Sequence, residues 1–263
     1  MAADILERIA ADKRIQVAEE KKAISLVQMQ ELADKTKSRL ENFAFENTLK
    51  NVGMSFICEV KKASPSKGII AEHFPYVEIA REYEQAGADC LSVLTEPKYF
   101  LGSDRYLQEI RDVVELPILR KDFTVDSYQI YQAKVLGADA VLLICALMHA
   151  DFLKECIEIC DHLGLTALVE THDENEIQMA VQSGARVIGV NNRNLKDFTV
   201  DLHNSTKLRS FAPEGTLFVA ESGIWIREDV KAFEEERVNA VLVGEALMRA
   251  KDKKQKLAEL RGV

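Results

Sequence analysis

Charged side chains stand at the ends of several short apolar runs in this chain of 263 residues. Glu59 and Lys61 lie at the end of SFICEV, Lys121 ends PILRK, and Glu170 ends TALVE. Lysine and glutamate held together can give and take protons, and burial beside other charges moves their pKa values toward the range in which they catalyse. These residues are therefore candidates for general acid–base chemistry.

Two further apolar runs end in polar residues. Asn191 and Arg193 follow VIGV, and Glu221 and Ser222 follow LFVA. Because buried charges are costly unless they are paired, the structural alternative is a plug of ion pairs without a catalytic role. That alternative can explain any one of these residues, but it explains the whole set poorly.

The elements that must position these residues repeat along the chain. Eight apolar runs alternate with amphipathic segments from residue 55 onward, namely SFICEV, CLSVL, PILR, AVLLIC, TALVE, VIGVNN, LFVAES and AVLVG. Four of the runs follow similar alanine-containing tetrads, and successive tetrads are roughly 50 residues apart. Each such interval holds one further run, so the distance from one run to the next is about half of it, which is the length of a βα unit. Uninterrupted apolar runs are typical of parallel strands buried on both faces.

The repeat predicts an α/β protein whose fold is a (β/α)₈ TIM barrel. In such a barrel the loops after the strands meet at one mouth, which would bring the polar strand ends together. A doubly wound open sheet is the alternative, but no G-x-G-x-x-G follows the first run and the eight similar units favour closure.

Glycines after the seventh and eighth runs indicate a phosphate site. Gly223 and Gly244 would let backbone N–H groups approach an oxyanion, and Ser222 could add a hydroxyl. Glu245 is an unfavourable neighbour for a dianion unless its carboxylate points away while its N–H donates. The alternative is that both glycines only form tight turns.

The first fifty residues differ from the rest. Residues 3–23 carry apolar positions among charges and predict an amphipathic helix, and a second short helix is expected at 28–39. We expect one domain over 1–263, with an N-terminal helical extension at 1–50, the barrel core at 55–250 and a C-terminal helix at 251–263. We expect Trp225 to pack where the helix after the seventh strand begins.

The composition argues against several classes of protein. A net charge of −9 argues against a nucleic-acid partner, and no apolar run reaches the length of a membrane span or an export signal. The five cysteines show no disulfide or zinc spacing, so we expect a reducing, cytoplasmic location. The five histidines show no metal-ligand spacing, so we expect no metal site, and we interpret them as surface or loop residues.

Seven strings closely resemble the indole-3-glycerol-phosphate synthase family of tryptophan biosynthesis. They are CEVKKASPSKG (58–68), SVLTEPKYFLGS (92–103), PILRKDF (117–123), ALVE (167–170), GVNNRNL (189–195), VAESGI (219–224) and VGEALMR (243–249). The strings span the first strand to the eighth, and the N-terminal extension is also of the kind that this family carries. VGEALMR alone is a weak signal, since other phosphate-binding barrels end similarly.

The resemblance implies a carboxy-lyase that converts 1-(2-carboxyphenylamino)-1-deoxyribulose 5-phosphate into indole-3-glycerol phosphate, carbon dioxide and water. It implies no metal or organic cofactor, and a small phosphorylated molecule as the only partner. A lone barrel of this kind is expected to be a monomer.

The same resemblance assigns roles. Lys121 is the general acid that protonates the ribulose carbonyl, and Lys61 is a charge partner or alternative acid. Glu170 acts in dehydration, which would suit it if burial raises its pKa. Residues that orient the substrate are Glu59, Asn191, Glu221 and Ser222, with Arg193 beside them. The phosphate is expected near Gly223, Gly244, Glu245, Lys61 and Ser64, and the aromatic ring near Pro65, Phe123, Leu142 and Leu195.

Two other functions are alternatives to this one. A phosphoribosylanthranilate isomerase-like barrel would use a cysteine and an aspartate at strand ends; Cys58 precedes Glu59, but the sixth strand offers no such aspartate. A non-catalytic phosphate-binding barrel would be expected to lack Lys61, Lys121 or Glu170, and all three are present.

Overall fold

Eight parallel strands close into a barrel in the computed structural model, which describes residues 5–194 and 197–263. The strands are β1 (Ser55–Val60), β2 (Cys90–Leu94), β3 (Ile118–Lys121), β4 (Ala140–Ile144), β5 (Thr166–Thr171), β6 (Val187–Asn191), β7 (Leu217–Glu221) and β8 (Ala240–Val243). Each strand pairs with the next, and β1 pairs with both β2 and β8, so the sheet has no open edge. The predicted (β/α)₈ barrel is confirmed, and the doubly wound alternative is wrong.

Helices surround the barrel and extend it at both ends of the chain. They are α1 (Ile5–Ala23), α2 (Leu26–Lys35), α3 (Ala44–Leu49), α4 (Tyr76–Ala86), α5 (Asp104–Arg111), α6 (Tyr128–Leu136), α7 (Ala150–Leu163), α8 (Glu174–Gln182), α9 (His203–Arg209), α10 (Arg227–Glu235), α11 (Glu245–Arg249) and α12 (Lys253–Arg261). The β1–α4 loop carries a short hairpin of two paired segments, Ala63–Ser64 and Gly68–Ile69. None of the helices within the described ranges has both the length and the apolar composition needed to cross a membrane.

Two layers of apolar side chains hold the barrel together. Alternate residues of each strand point inward or outward, so Ile57 of β1 belongs to the barrel interior while Phe56 and Cys58 pack toward the helices. Phe45 and Leu49 of α3 are fully buried in the interior cluster. The backbone N–H of Glu46 donates to Thr166 Oγ1 at the start of β5, so α3 closes the end of the barrel opposite the strand C-termini. The sequence did not predict this helix.

The second helix begins and ends earlier than the predicted 28–39. Ser25 caps it, since its hydroxyl accepts from the Gln28 backbone N–H while the Gln28 side chain accepts from the Ser25 backbone. Such a reciprocal capping box stabilises a helix start. Thr36 is already extended, so the helix ends at Lys35.

The N-terminal extension is tied to the barrel mouth by ion pairs. Lys13 Nζ lies 2.8 Å from Asp122 Oδ1, and both side chains are almost completely buried. Asp12 pairs with Lys98 at 2.7 Å in the loop after β2. Helix α1 therefore lies across the ends of β2 and β3, on the side where the polar strand ends meet.

Candidate active site

Lys121, Glu170 and Glu221 meet inside the barrel mouth, although they come from three different strands. Lys121 Nζ donates to Glu221 Oε2 and lies 3.4 Å from Glu170 Oε2. Both carboxylates are almost fully buried, and Glu221 Oε1 has no hydrogen-bond partner among the described residues. One ammonium thus serves two buried carboxylates, which leaves part of their acceptor capacity unused.

The pKa values of the two carboxyl groups move in opposite directions, although the shared ammonium lowers both. Burial raises the pKa of Glu221 to about 7, helped by the Glu170 charge and only partly offset by Lys121. Burial also disfavours the ionised form of Glu170, but Lys121 and His172 outweigh it and lower its pKa. The condition stated for the role of Glu170, a pKa raised by burial, is not met with Lys121 charged, because Lys121 and His172 outweigh the effect of burial. Glu221 is the carboxyl that holds a proton near neutral pH.

The pKa of Lys121 follows from the same geometry. Burial lowers it, but the charges of Glu221, Glu170 and Glu59 together raise it above the ordinary lysine value. Lys121 therefore stays protonated at neutral pH and can act as a proton donor.

Two glycines make room for the buried carboxylates. A Cβ on Gly189 of β6 would lie 2.3 Å from Glu221 Oε1, and one on Gly244 would lie 2.2 Å from Glu59 Oε2. Real Cβ atoms do not approach an oxygen so closely, so a larger residue at either position would displace the carboxylate beside it. Glu59 is also ion-paired with Lys61, which gives the mouth a second lysine–glutamate pair.

Asn191 orients Glu170 from the adjacent strand. Its Nδ2 donates to Glu170 Oε1 at 3.3 Å, and its Oδ1 accepts from the Arg193 backbone N–H at 3.0 Å. The Arg193 guanidinium donates to the Phe198 carbonyl at 3.3 Å. The strand end and the loop that follows it are thereby held together beside the carboxylate.

The charged groups line a cavity of about 140 Å³ at the barrel mouth. Its lining combines these charged side chains with apolar ones. The apolar lining includes Ile5, Leu6, Ile9, Pro65, Leu94, Phe100, Phe123, Leu142, Ile144, Phe198, Trp225 and Leu242. A cavity lined by both apolar side chains and ion pairs suits a ligand with an aromatic and a charged half.

The ends of β7 and β8 border the same cavity. Ser222 and Gly223 both have positive φ, at 69° and 84°, and Gly244 immediately precedes α11. The Glu245 carboxylate accepts from Arg249 Nε at 2.9 Å and lies 4.0 Å from Lys67 Nζ. These cations partly neutralise the carboxylate that seemed unfavourable beside a dianion.

A family model described as Indole-3-glycerol phosphate synthase matches residues 6–260. The chain belongs to the indole-3-glycerol phosphate synthase family. A family member from Ruminiclostridium cellulolyticum is 53% identical over 258 residues, covering 98% of this chain and 99% of the relative. Another from Endomicrobium trichonymphae is 50% identical over 259 residues, with 98% and 99% covered. Membership thus rests on nearly the whole chain, including the N-terminal helices.

Solved structures outside the indole-3-glycerol phosphate synthase family share the fold. A 3-hexulose-6-phosphate synthase superposes with a TM-score of 0.66 at 14% identity, covering 80% of this chain and 99% of that one. A thiamine phosphate pyrophosphorylase from Pyrococcus furiosus gives 0.59 at 19% identity, covering 83% and 96%. At such low identity these likenesses show the barrel and nothing more.

The structure brings together nearly all the residues that the sequence and the family resemblance pointed to. The residues that line the cavity are Glu59, Lys61, Ser64, Pro65, Lys121, Phe123, Leu142, Glu170, Asn191, Arg193, Glu221, Ser222, Gly223, Gly244 and Glu245. Leu195 lies outside the described residues. Cys58 faces the helices, where burial raises its pKa, so the isomerase-like use of this thiol has no support.

Sequence reasoning missed several contributors to the site, among them α1, Trp225 and His172. Helix α1 supplies Ile5, Leu6 and Ile9. The sequence showed that this helix has an apolar face, but not that the face lines the cavity. Trp225 was expected to pack at the start of a helix, but it is 41% exposed and lines the cavity. His172 was expected to be a surface or loop residue, and it does lie in the loop between β5 and α8, but its Nε2 is 3.5 Å from Glu170 Oε1. Its position directly after a strand was the available signal, because the loops after the strands meet at the barrel mouth.

Proposed function

We propose that this chain catalyses the reaction named by its family, with Lys121, Glu170 and Glu221 as the central acid–base group. The substrate is 1-(2-carboxyphenylamino)-1-deoxyribulose 5-phosphate, and the products are indole-3-glycerol phosphate, carbon dioxide and water. The observation that carries the proposal is one lysine in contact with two buried carboxylates at the mouth of a cavity that also has apolar lining residues.

Ring closure is assigned to Lys121. Attack of the aromatic carbon on the ribulose carbonyl places negative charge on its oxygen, and a positioned ammonium both stabilises that charge and donates the proton. Glu221 and Glu170 keep Lys121 protonated and fix the direction of its side chain. Lys61, paired with Glu59, is the second cation within the mouth.

The later steps need a group that accepts and returns protons. Loss of the carboxylate as carbon dioxide is followed by expulsion of hydroxide, which must be protonated as it leaves. Glu170 becomes able to carry a proton when Lys121 has lost its own, since the ammonium is the main charge that lowers the pKa of Glu170. Asn191 holds Glu170 in place for this transfer.

The two ends of the substrate find different surroundings. We assign the phosphate to the β7 and β8 ends, at Ser222, Gly223, Gly244 and the backbone of Glu245, with Ser64 and Lys61 nearby. The aromatic ring is assigned to the apolar lining residues Pro65, Phe123 and Leu142, together with α1. The expected Leu195 contact remains part of this proposal.

The location and state of assembly are also proposals. The five cysteines are free and buried, which suits a reducing compartment, and we infer a cytoplasmic enzyme that acts as a monomer. The reaction scheme uses only side chains of this chain and needs no cofactor.

Indole fluorescence on addition of 1-(2-carboxyphenylamino)-1-deoxyribulose 5-phosphate, with a chelator present, tests the assignment. We expect turnover by the wild-type protein and a loss of kcat of about a hundredfold or more in Lys121→Ala, with a much smaller effect on KM. Lys154→Ala is the control, because that lysine is exposed on α7 and should leave turnover unchanged.

Either of two results would contradict the proposal. Folded wild-type protein without turnover would remove the reaction itself, and binding of the same phosphate would then identify a non-catalytic barrel. Full turnover in Lys121→Ala would remove the role given to this lysine.

A further inference from the structure

Three ionisable side chains lead from Lys121 to the protein surface on the β5 side of the barrel. Glu170 presents Oε2 to Lys121 Nζ at 3.4 Å and Oε1 to His172 Nε2 at 3.5 Å. The other ring nitrogen, Nδ1, lies 3.2 Å from Glu176 Oε2. The Glu170 side chain is 3% exposed, whereas the side chains of His172 and Glu176 are 22% and 19% exposed, so the outer two members are the ones that reach water.

Glu176 of α8 sets the orientation of the imidazole. The same Oε2 that faces Nδ1 also accepts from the His172 backbone N–H at 2.7 Å, which fixes the carboxylate relative to the ring. With Nδ1–H directed at Glu176, Nε2 becomes the atom that gains or loses a proton, and it is the atom that faces Glu170. Nε2 is buried and makes no hydrogen bond within the described part of the chain.

Three carboxylates govern the charge of His172. Burial lowers its pKa, but the hydrogen bond to Glu176 and the charges of Glu170, Glu176 and Glu221 raise it above the ordinary histidine value. Lys121 is the nearby cation, and its charge is shared between Glu170 and Glu221. His172 therefore keeps its proton to a higher pH than an ordinary histidine does.

The proposed reaction consumes one proton in each turnover. Ring closure moves one proton to the ribulose oxygen and leaves a cationic ring nitrogen, which the electron pair released with carbon dioxide neutralises as the benzene ring becomes aromatic again. The hydroxyl then leaves as water with a second proton, and the carbon that was C1 of the ribulose gives up one proton as the indole forms, so the net demand is one proton. That proton comes from the Lys121 and Glu170 group, which is buried and must be recharged from solvent before the next cycle. We propose that His172, oriented by Glu176, is the relay that returns this proton to Glu170.

The relay works through Glu170, so His172 is a positioning residue in the sense that it does not touch the substrate. Once Lys121 is neutral, Glu170 no longer faces an ammonium and its affinity for a proton rises. The Nε2 proton of the imidazolium passes to Glu170 Oε1, and the protonated carboxyl turns about its Cγ–Cδ bond and gives that same proton to Lys121 Nζ. The neutral imidazole regains a proton on Nε2 from solvent when its partly exposed ring turns outward, which restores the starting charges. This inference rests on the proposed function.

His172→Gln tests the relay through the pH dependence of kcat between about pH 6 and pH 9. We expect kcat to fall about tenfold or more near pH 8.5, where free protons are scarce, and to be restored in proportion to added imidazole. The substrate dissociation constant, followed by the fluorescence of the single Trp225 at the cavity, should not change. His162→Asn is the matched control, because that histidine lies on α7 with a side chain 70% exposed.

Glu176→Gln provides a second test that keeps the ring in place. The amide oxygen can still accept from the His172 backbone N–H and Nδ1, but the lost charge should lower the pKa of His172. We expect the alkaline limb of the kcat profile to move to lower pH, in step with the titration of the His172 ring followed by NMR.

The relay would be overturned by His172→Gln with wild-type kcat at every pH and no response to imidazole. A loss of kcat that imidazole does not restore, with a profile of unchanged shape, would also overturn it, since that result indicates a structural role alone. Absence of turnover in the wild-type protein would overturn the proposed function and the relay together, whereas the first two results reject the relay alone.

Discussion

At the scale of single residues, the barrel mouth divides one positive charge between two carboxyl groups. Glu221 and Glu170 differ little in chemistry or burial, but His172 supports only the ionised form of Glu170. The result is one carboxylate and one carboxyl that takes a proton near neutral pH. Two equivalent glutamates acquire separate tasks from their neighbours.

Glu221 should make the protein less stable as pH rises toward neutrality. Its pKa is about 7 in the folded protein and near its ordinary value of 4.5 when unfolded, so the folded state binds more protons between these values. We expect the free energy of unfolding to fall by roughly 2 kcal/mol between about pH 5 and pH 7.5. Denaturant titration at a series of pH values measures this change.

Glu221→Gln isolates the contribution of that carboxyl. The amide has the shape of the protonated acid and does not ionise, so the downward slope should largely disappear while the pH dependence due to other groups remains. A variant with the same slope as the wild type would show that the neutral pKa belongs to a different group.

At the scale of elements, α1 forms a wall of the site, and its own position depends on its contacts with the barrel. Leu6 and Ile9 line the cavity, and Lys13, one turn further along, is buried against Asp122 after β3. Asp122 also accepts from Thr95 Oγ1 at 2.9 Å, so the ion pair joins α1 to the ends of two strands. The position of the helix therefore depends on this buried pair.

Lys13→Met should destabilise the protein and weaken substrate binding together. Removing one partner leaves Asp122 buried with incomplete charge compensation, for which we expect a loss of about 3 kcal/mol. KM should rise more than kcat falls, because α1 contributes apolar wall and no acid–base group. Denaturant unfolding and steady-state kinetics measure the two effects.

The matched control is Lys22→Met on the same helix. Lys22 pairs with Glu19 in an exposed position, with side chains 69% and 64% exposed, so its loss should leave both stability and KM unchanged. Equal effects of the two substitutions would contradict the specific role of the buried pair.

At the scale of the whole molecule, closure of the barrel makes distant parts of the chain depend on one another. β1 pairs with β8, and α12 returns to pack beside α4, with Arg261 2.6 Å from Asp89 and Lys253 3.0 Å from Glu82. The N-terminal helices pack on the outside and the mouth of the same barrel through the cluster of Val17, Met29 and Tyr128. We propose that residues 1–263 form one domain.

One domain should lose its N-terminal helices and its barrel in the same transition. We expect denaturant unfolding followed by far-UV circular dichroism to coincide with unfolding followed by Trp225 fluorescence. In Lys13→Met both curves should move to lower denaturant together. An early loss of helical signal while the Trp225 signal is intact would instead indicate that α1 and α2 form a separate unit.

The architecture and most of the site could be predicted from the sequence. Eight apolar runs with a βα period determine a parallel barrel, because such strands need helices on their outer face and closure removes the sheet edges. The topology then brings Lys121, Glu170 and Glu221 to one mouth without further information. The apolar runs in the sequence locate the strands, and therefore also the residues that stand at the C-terminal ends of the strands.

Only the tertiary structure decided which charges touch. Burial and the placement of His172 set the pKa values of Glu170 and Glu221 apart, and these depend on distances of a few ångströms between strands that are far apart in sequence. The position of α1 could not be predicted for the same reason. An apolar stripe shows that one face of a helix is buried, but it does not show which part of the protein that face packs against. A sequence pattern determines the local conformation and which face of an element is buried. The pKa values and the packing partners arise from the folded arrangement of the whole chain.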